Sequence, residues 1–576
     1  MFDRATALAG LRAARRFDVL VVGGGITGAG VALDAASRGL RTALVERGDF
    51  ASGTSSASSK LVHGGLRYVS QGELGLVAQA LAERQRLLSN ASHLVQPLPF
   101  VLPLSGGAAA ARSLGAALWL YDLAGGGRIG QVHRRLSRDE TLSRVPALRA
   151  DAFGRSYLYL DAHADDARLT LAVVRTAVLD HGAVAANHAS VVGLLRSRSG
   201  RVVGAVVGAD GEEIEVRASV VVNATGVWSD DFGRMSEGEG WVDTIRPAKG
   251  VHLTVSGARL PASVAAVLPV PADGRSVFVI PWPGTDRVYV GTTDTDFEGD
   301  VDRPRCTAAD VDYLLGAVNG WVSDPLTSAD VVGCWAGLRP LVAGGVPVAA
   351  GGGGADGRPG RAPRRRGSRA LAAGRGRTAD LSRRHRLSQS DGGVVTITGG
   401  KLTTYRRMAA DTVDEVAGLL GVGARSHTAG LHLRGAGSGA AFRSLDVGAG
   451  DHLGRRYGTE AGTVRALVDD DPSLGERLVD GLAYLRAEVV YAVRHEMART
   501  LEDVLDRRLR ARILDRDGAA AAASDVAAII GPELGWSTVE SDAHVAAYRA
   551  ELDDERVHAG LPGGPVPTGP RHRRAG

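Results

Sequence analysis

"FDVLVVGGGITGAGVALDAASRGLRTALVE", residues 17–46, decides the fold. "FDVLVV" is short, apolar and valine-rich, the composition of a strand buried on both faces of a parallel sheet. Glycines follow at once, then a helical pattern, then a second apolar strand, "RTALVE" (41–46). Strand, tight turn, helix and parallel strand within about 30 residues make a βαβ unit. Gly23, Gly25 and Gly28 have the G-x-G-x-x-G spacing. The first allows the turn, the second lets a diphosphate approach the backbone, and the third packs helix on strand. Gly24, Ile26 and Thr27 complete a turn whose N–H groups and helix dipole favour an anion. Glu46 ends the second strand, placed for a ribose 2′-hydroxyl. These residues predict a bound dinucleotide and leave FAD and NAD open.

Eight residues further on, "TSSASSKLVHGGLRYV" (54–69) gathers serines, two glycines and four polar or aromatic side chains. Its position makes it a return of the chain to the cofactor, with Thr54, Ser55, Ser56, Ser58, Ser59 and Lys60 as candidate contacts, and His63, Gly64 and Gly65 beside the ring. Deeper in the chain, "SVVVNATG" (219–226) is an apolar strand ending in Ala224, Thr225 and Gly226. A second backbone approach far from the first favours FAD, which touches distant parts of one chain. "TGGKLTTYRRMA" (398–409) is a glycine turn opening a helix, with Gly400, Lys401, Leu402 and Thr403 at its mouth. A helix N-terminus there would stabilise negative charge on a reduced ring.

The chain has 576 residues, 44% hydrophobic and 23% charged, which suits a soluble protein of two or three domains. Two cysteines, Cys306 and Cys334, allow no disulfide framework and no metal cluster of CxxC type, so a reducing cytosolic setting is expected. The N-terminus has no signal-peptide pattern and no apolar run reaches about 18 residues. Residues 351–377 hold eight arginines against the single acid Asp356; without them the formal charge of +4 turns negative. The basic character is therefore local.

The predicted organisation is α/β: a Rossmann-like FAD domain, a β-rich substrate domain and an α-helical C-terminal domain. The oxidoreductase body spans 15–425. Its FAD-binding parts are 15–75, 190–235 and 390–425, and its substrate-domain parts are 76–189 and 236–345. Residues 190–226 read as a three-stranded meander leading into a buried strand. Residues 343–377 read as a disordered Gly/Arg-rich insert, 426–555 as the helical domain and 556–576 as a disordered tail.

In order along the chain, "VVGGGITGAGVALDAASRGL", "SGTSSASSKLVHGGLRYV", "HADDARL", "VNATGVWSD", "GTTDTDFEGD", "GLRPL" and "GGKLTTYRRMA" resemble the FAD-dependent glycerol-3-phosphate dehydrogenases of the respiratory, quinone-linked type. The resemblance implies a flavoprotein body similar to glycine and D-amino-acid oxidases. It also implies oxidation of sn-glycerol 3-phosphate to dihydroxyacetone phosphate at the inner face of the cytoplasmic membrane, with quinone as acceptor. Peripheral membrane attachment is expected, with 5–16 and 474–514 as candidate basic faces, and a homo-oligomer is compatible. The reaction removes a hydride from C2 and a proton from its hydroxyl. His63 is the candidate base, since imidazole titrates near neutral pH. A dianionic phosphate calls for fixed cations. Arg67 and Arg339 lead, the latter with a buried ion pair as its structural alternative. Arg384, Lys401 and Tyr68 complete the catalytic set. The insert separates "GLRPL" from "RTADLSRRH", so a disturbed substrate site is the alternative to a benign loop.

Two other readings use the same residues. One is a glycerol-3-phosphate oxidase or amine oxidase of this fold that passes electrons to oxygen. The other is a non-catalytic flavin- or RNA-binding protein built around the arginine-rich run. That run lacks interleaved aromatics, so no nucleic-acid partner is expected.

Overall fold

Strand Phe17–Val22 is the centre of a parallel array, as its composition requires. It pairs with Thr42–Val45 on one side and with Glu212–Asn223 on the other, Val21 standing opposite both Leu44 and Val222. The computed structural model describes residues 2–70, 72–106, 108–342, 385–437 and 452–563. The first sheet runs in the order 386–389, 395–398, 212–223, 17–22, 42–45 and 184–186. Helix Ile26–Ser37 covers it, packed between helices Asp166–Leu179 and Tyr405–Leu420. Val19, Leu20, Val21, Ala29, Val31 and Leu44 are fully buried between these layers. Each such valine or leucine contributes about 1.5–3 kcal/mol. The approach of helix to helix is close: a Cβ on Gly30 would stand 2.8 Å from the Tyr405 ring.

The second sheet is mostly antiparallel and runs 295–296, 245–256, 287–291, 275–281, 265–270, 95–104, 155–164 and 61–62. Strand Val331–Val342 pairs with Ile245–Ser256, which sets Arg339 opposite Ala248 and Trp335 opposite His252. The chain therefore enters this sheet at Leu61–Val62, which pair with His163 and Ala162. That is earlier than the boundary expected at residue 75. The segment 166–189, expected in the substrate domain, returns to the first sheet through helix Asp166–Leu179 and strand Val184–Ala186. In the predicted meander, the third strand and the buried strand are one twelve-residue element. Glu212–Arg217 pairs antiparallel with 204–209, and Ala218–Asn223 continues beside 17–22.

The C-terminal part is helical, as expected, but the pattern over 474–514 is broken. It contains helix Arg486–Glu496, a π-helical turn Asp503–Arg508 and the short helix Ala511–Leu514. Met497 and Arg510 have left-handed backbones at the breaks. Two longer helices, Arg516–Leu534 and Thr538–His558, follow. The expected tail begins later than 556, because the helix continues to His558 and Ala559 and Leu561 are buried on the second sheet. Helix Arg4–Ala13 is docked through Ala7, Leu8 and Leu11, with Arg4 Nε donating to the Asn187 carbonyl at 2.9 Å. Neither it nor 474–514, whose apolar residues fill the C-terminal core, is a free amphipathic face. The insert 343–377, Arg384 and the tail from 564 lie outside the described residues, as does the side chain of Arg67.

Candidate active site

Between the two sheets lies a cavity of about 960 Å³. Its floor is the glycine turn. A Cβ on Gly28 would stand 1.9 Å from the Gly23 carbonyl oxygen, and one on Gly23 2.7 Å from that of Ala224. Glycine is thus required at both places so that helix, strand and the Ala224–Gly226 turn can close on one another. Gly28→Ala is expected to cost about 1–3 kcal/mol through forced separation of backbone. A lowered denaturation midpoint together with loss of bound flavin checks it.

Glu46 reaches back over this turn. Its Oε2 accepts from the Gly24 N–H at 2.6 Å and its Oε1 from the Gly48 N–H at 2.8 Å. Burial raises its carboxyl, opposed by these two bonds. Glu46→Gln would turn an amide N–H toward a backbone N–H; FAD affinity is expected to fall about tenfold, measured by reconstitution of stripped protein.

The serine loop closes the next wall. Ser55 Oγ accepts from the Ile26 N–H at 2.8 Å, so the loop is tied to the helix start. Thr54 Oγ1 donates to the Leu338 carbonyl at 2.6 Å, and a Cβ on Gly337 would meet the Ala57 carbonyl at 2.5 Å. Thr54, Ser55, Ser58 and Ser59 line the cavity, as do Gly23, Gly25, Ile26, Thr27, Glu46, Ala224, Thr225 and Gly226. Gly24, Gly28, Ser56 and Gly64 stand behind it.

Lys60, expected at the cofactor, is turned away. Its backbone is left-handed, at φ +56°. Its Nζ is fully buried, 3.1 Å from Asp166 Oδ1 and 4.8 Å from the centre of the Trp335 ring. Burial, and then the neighbouring Arg510 guanidinium, bring this ammonium down to about 8.

Two further segments of the lining are tied together. The His63 N–H donates to Thr403 Oγ1 at 3.2 Å, joining the 61–68 loop to the 399–404 turn. Gly64 N–H donates to the Tyr121 hydroxyl at 3.0 Å. That hydroxyl bonds Asp161, which also holds Arg84 at 2.7 Å, so a buried polar cluster fixes the loop from behind. Burial raises the Asp161 carboxyl against the pull of Arg84. Lys401 Nζ lies 3.9 Å from the centre of the Tyr68 ring. Arg339 also lines the cavity, its Nη1 3.1 Å from Asp294 Oδ1 and its Nη2 3.2 Å from both Thr292 Oγ1 and the Thr293 carbonyl. A Cβ on Gly250 would meet that guanidinium at 2.5 Å, so the missing side chain makes its space. His63, Gly65, Tyr68, Arg339, Gly400, Lys401, Leu402 and Thr403 all line this one cavity.

Sequence reasoning missed several lining residues. Phe100, Tyr159 and Phe278 form an apolar wall, and Arg275 stands in the lining too. The alternation in "RSYLYL" (155–160) was the available signal for Tyr159. Asp294 is the ionic partner of Arg339. His252 is a buried histidine at the lining, bonded through Nε2 to Ser59 Oγ at 2.9 Å and stacked on Trp335. Burial holds it well below the usual imidazole range, hence neutral.

A cradle of this length, with glycine contacts that a Cβ would fill, a carboxylate over the turn and a second backbone approach, fits FAD. A cavity near 1,000 Å³ stands at the large end for small-molecule sites. The family described as FAD dependent oxidoreductase matches residues 18–367, and that described as C-terminal domain of alpha-glycerophosphate oxidase matches residues 395–541. The chain is an FAD-dependent oxidoreductase, with FAD as its cofactor.

Among its relatives, glycerol-3-phosphate dehydrogenase 2 of Mycobacterium tuberculosis is 40% identical over 561 residues, covering 95% of this chain and 90% of the relative. The mitochondrial glycerol-3-phosphate dehydrogenase of Mus musculus is 35% identical over 564 residues, covering 93% and 73%. The crystal structure of the glycerol-3-phosphate dehydrogenase from Bacillus halodurans complexed with FAD superposes with a TM-score of 0.74 at 30% identity, over 96% of this chain and 97% of that one. This chain belongs to the FAD-dependent glycerol-3-phosphate dehydrogenase family.

Proposed function

We propose that the chain oxidises sn-glycerol 3-phosphate to dihydroxyacetone phosphate and passes the electrons to a membrane quinone. The observation that carries this reading is that His63, Lys401 and Arg339, from three separate segments, all line the FAD cavity. FAD, when bound, supplies the hydride acceptor. His63 takes the proton of the C2 hydroxyl, and its loop is tied to the 399–404 turn by the Thr403 bond. Arg339 and Lys401 offset the phosphate charge, with Arg67 and Arg384 as further candidates from the sequence. Tyr68, under the Lys401 ammonium, orients that cation. Phe100, Tyr159 and Phe278 supply an apolar part of the lining that would limit water beside a bound substrate.

The quinone and peripheral-membrane part of the reading draws support from helix Ala108–Leu123. Its Leu114 and Ala117 line the cavity, while Trp119, Leu120 and Leu123 on the same helix are 55%, 46% and 80% exposed. An exposed tryptophan beside leucines is the composition of a lipid-interface surface. Among the described residues no helix is long and apolar enough to cross a membrane.

The test is steady-state turnover with glycerol 3-phosphate in air, with and without a soluble quinone analogue. The reading expects fast quinone reduction and little hydrogen peroxide. Stoichiometric peroxide with no gain from quinone would make the protein an oxidase.

A further inference from the structure

The C-terminal helices reach the nucleotide-binding half through a row of arginines on one irregular turn. Arg507 and Arg508 leave the π-helical turn and both donate to Asp49: Arg507 Nε at 2.8 Å, and the two Arg508 terminal nitrogens at 2.6 and 2.9 Å. Arg510, in a left-handed conformation, donates through Nη2 to the Ser56 carbonyl at 2.6 Å and to Asp166 Oδ1 at 2.8 Å. Asp49, Asp166, Arg508 and Arg510 are all buried. Asp166 in turn accepts from the Ser58 N–H at 3.0 Å and the Ser58 hydroxyl at 2.7 Å.

These two carboxylates bracket one loop. Asp49 lies three residues beyond Glu46, and Asp166 lies against Ser56–Lys60. Between them, Ser52–Ser55 and Ser58–Ser59 line the FAD cavity. The loop's only regular structure is the three-residue turn Thr54–Ser56. Fixing such a backbone costs about 1–2 kcal/mol per residue, which the loop's few apolar side chains do not offset. The polar anchors must supply the order.

We propose that this arginine row is a cofactor clamp: the C-terminal domain holds residues 49–59 in the shape that binds FAD, with Arg508 and Arg510 as positioning residues. The proposal rests on the reading that this loop contacts FAD. It makes FAD retention a property of both domains rather than of the glycine turn alone.

Arg510 is the residue to change, because Asp166 keeps Lys60 as a partner and the Ser56 carbonyl keeps the Lys60 Nζ at 3.0 Å. No buried carboxylate is left unpaired, so the variant is expected to fold. Protein stripped of FAD is titrated with FAD and the quenching of flavin fluorescence is followed. Arg510→Met is expected to raise the FAD dissociation constant about tenfold, the worth of a charge-assisted hydrogen bond. Arg510→Lys, which keeps the charge without the fork, falls between. Arg494→Ala, which removes an exposed pair with Glu533 in the same domain, leaves the constant unchanged. Ser55→Ala raises it too, and the double variant with Arg510→Met is less than additive, because both act through one loop. No effect of Ser55→Ala would remove the loop reading and the clamp with it. An effect of Ser55→Ala beside an unchanged constant in folded Arg510→Met or Arg510→Lys would overturn the clamp alone. So would full additivity in the double variant.

Discussion

Replacing His63 with asparagine is expected to lower kcat by about 10²–10⁴-fold, the range for a lost general base, with FAD content unchanged. His63 follows the two-residue strand Leu61–Val62, which is paired to 162–163, and its own N–H is held by Thr403. The next residue, Gly64, is tied to Tyr121 and through it to the buried Asp161–Arg84 pair. An imidazole on a loop fixed on both sides is preorganised for one proton. Pre-steady-state reduction of the enzyme by glycerol 3-phosphate measures the step. The variant's flavin reduction rate should fall while its FAD absorbance spectrum stays that of the wild type. A variant within threefold of wild type would remove His63 from the chemistry.

Arg339→Met is expected to lower kcat/KM by about 10²–10³-fold, mainly through KM, as for truncation of one partner in a hydrogen-bonded charge pair. Arg339 already has an anionic neighbour, Asp294, at 3.1 Å. Both side chains line the cavity, Arg339 24% and Asp294 12% exposed, so the guanidinium is oriented rather than sealed. Its donors to Thr292 and Thr293 fix the plane of the fork. A phosphate would meet a cation already in position. The competing account is that Arg339 serves only the fold. In that case Arg339→Met lowers the denaturation midpoint while KM stays within twofold, and Asp294→Asn does the same.

Much of this architecture was legible because local and global signals agree. Residues 17–46 carry the strand composition, the glycine spacing and the acid together, and the structure builds from them a βαβ unit in the expected order. The cavity-lining loops were legible because glycines and short polar residues punctuate apolar strands. The second sheet was harder. Strand Val95–Leu104 contains Pro97, Pro99 and Pro103, which by composition argue against a strand inside a sheet. Strand Leu61–Val62 is too short to show alternation. Lys60 was misplaced because its left-handed backbone turns the side chain away from the cavity, onto a carboxylate 106 residues further along the chain. No local pattern encodes such a partner. The pairings of Arg339 with Asp294 and of Arg508 with Asp49 belong to the same class, since long-range ion pairs follow from topology rather than spacing.

The most direct measurement is anaerobic addition of glycerol 3-phosphate to the purified yellow protein. The visible flavin band is expected to bleach, and dihydroxyacetone phosphate to appear in equal amount to the bound flavin. A protein that carries FAD, keeps its full absorbance under saturating glycerol 3-phosphate and yields no dihydroxyacetone phosphate would contradict the proposed reaction.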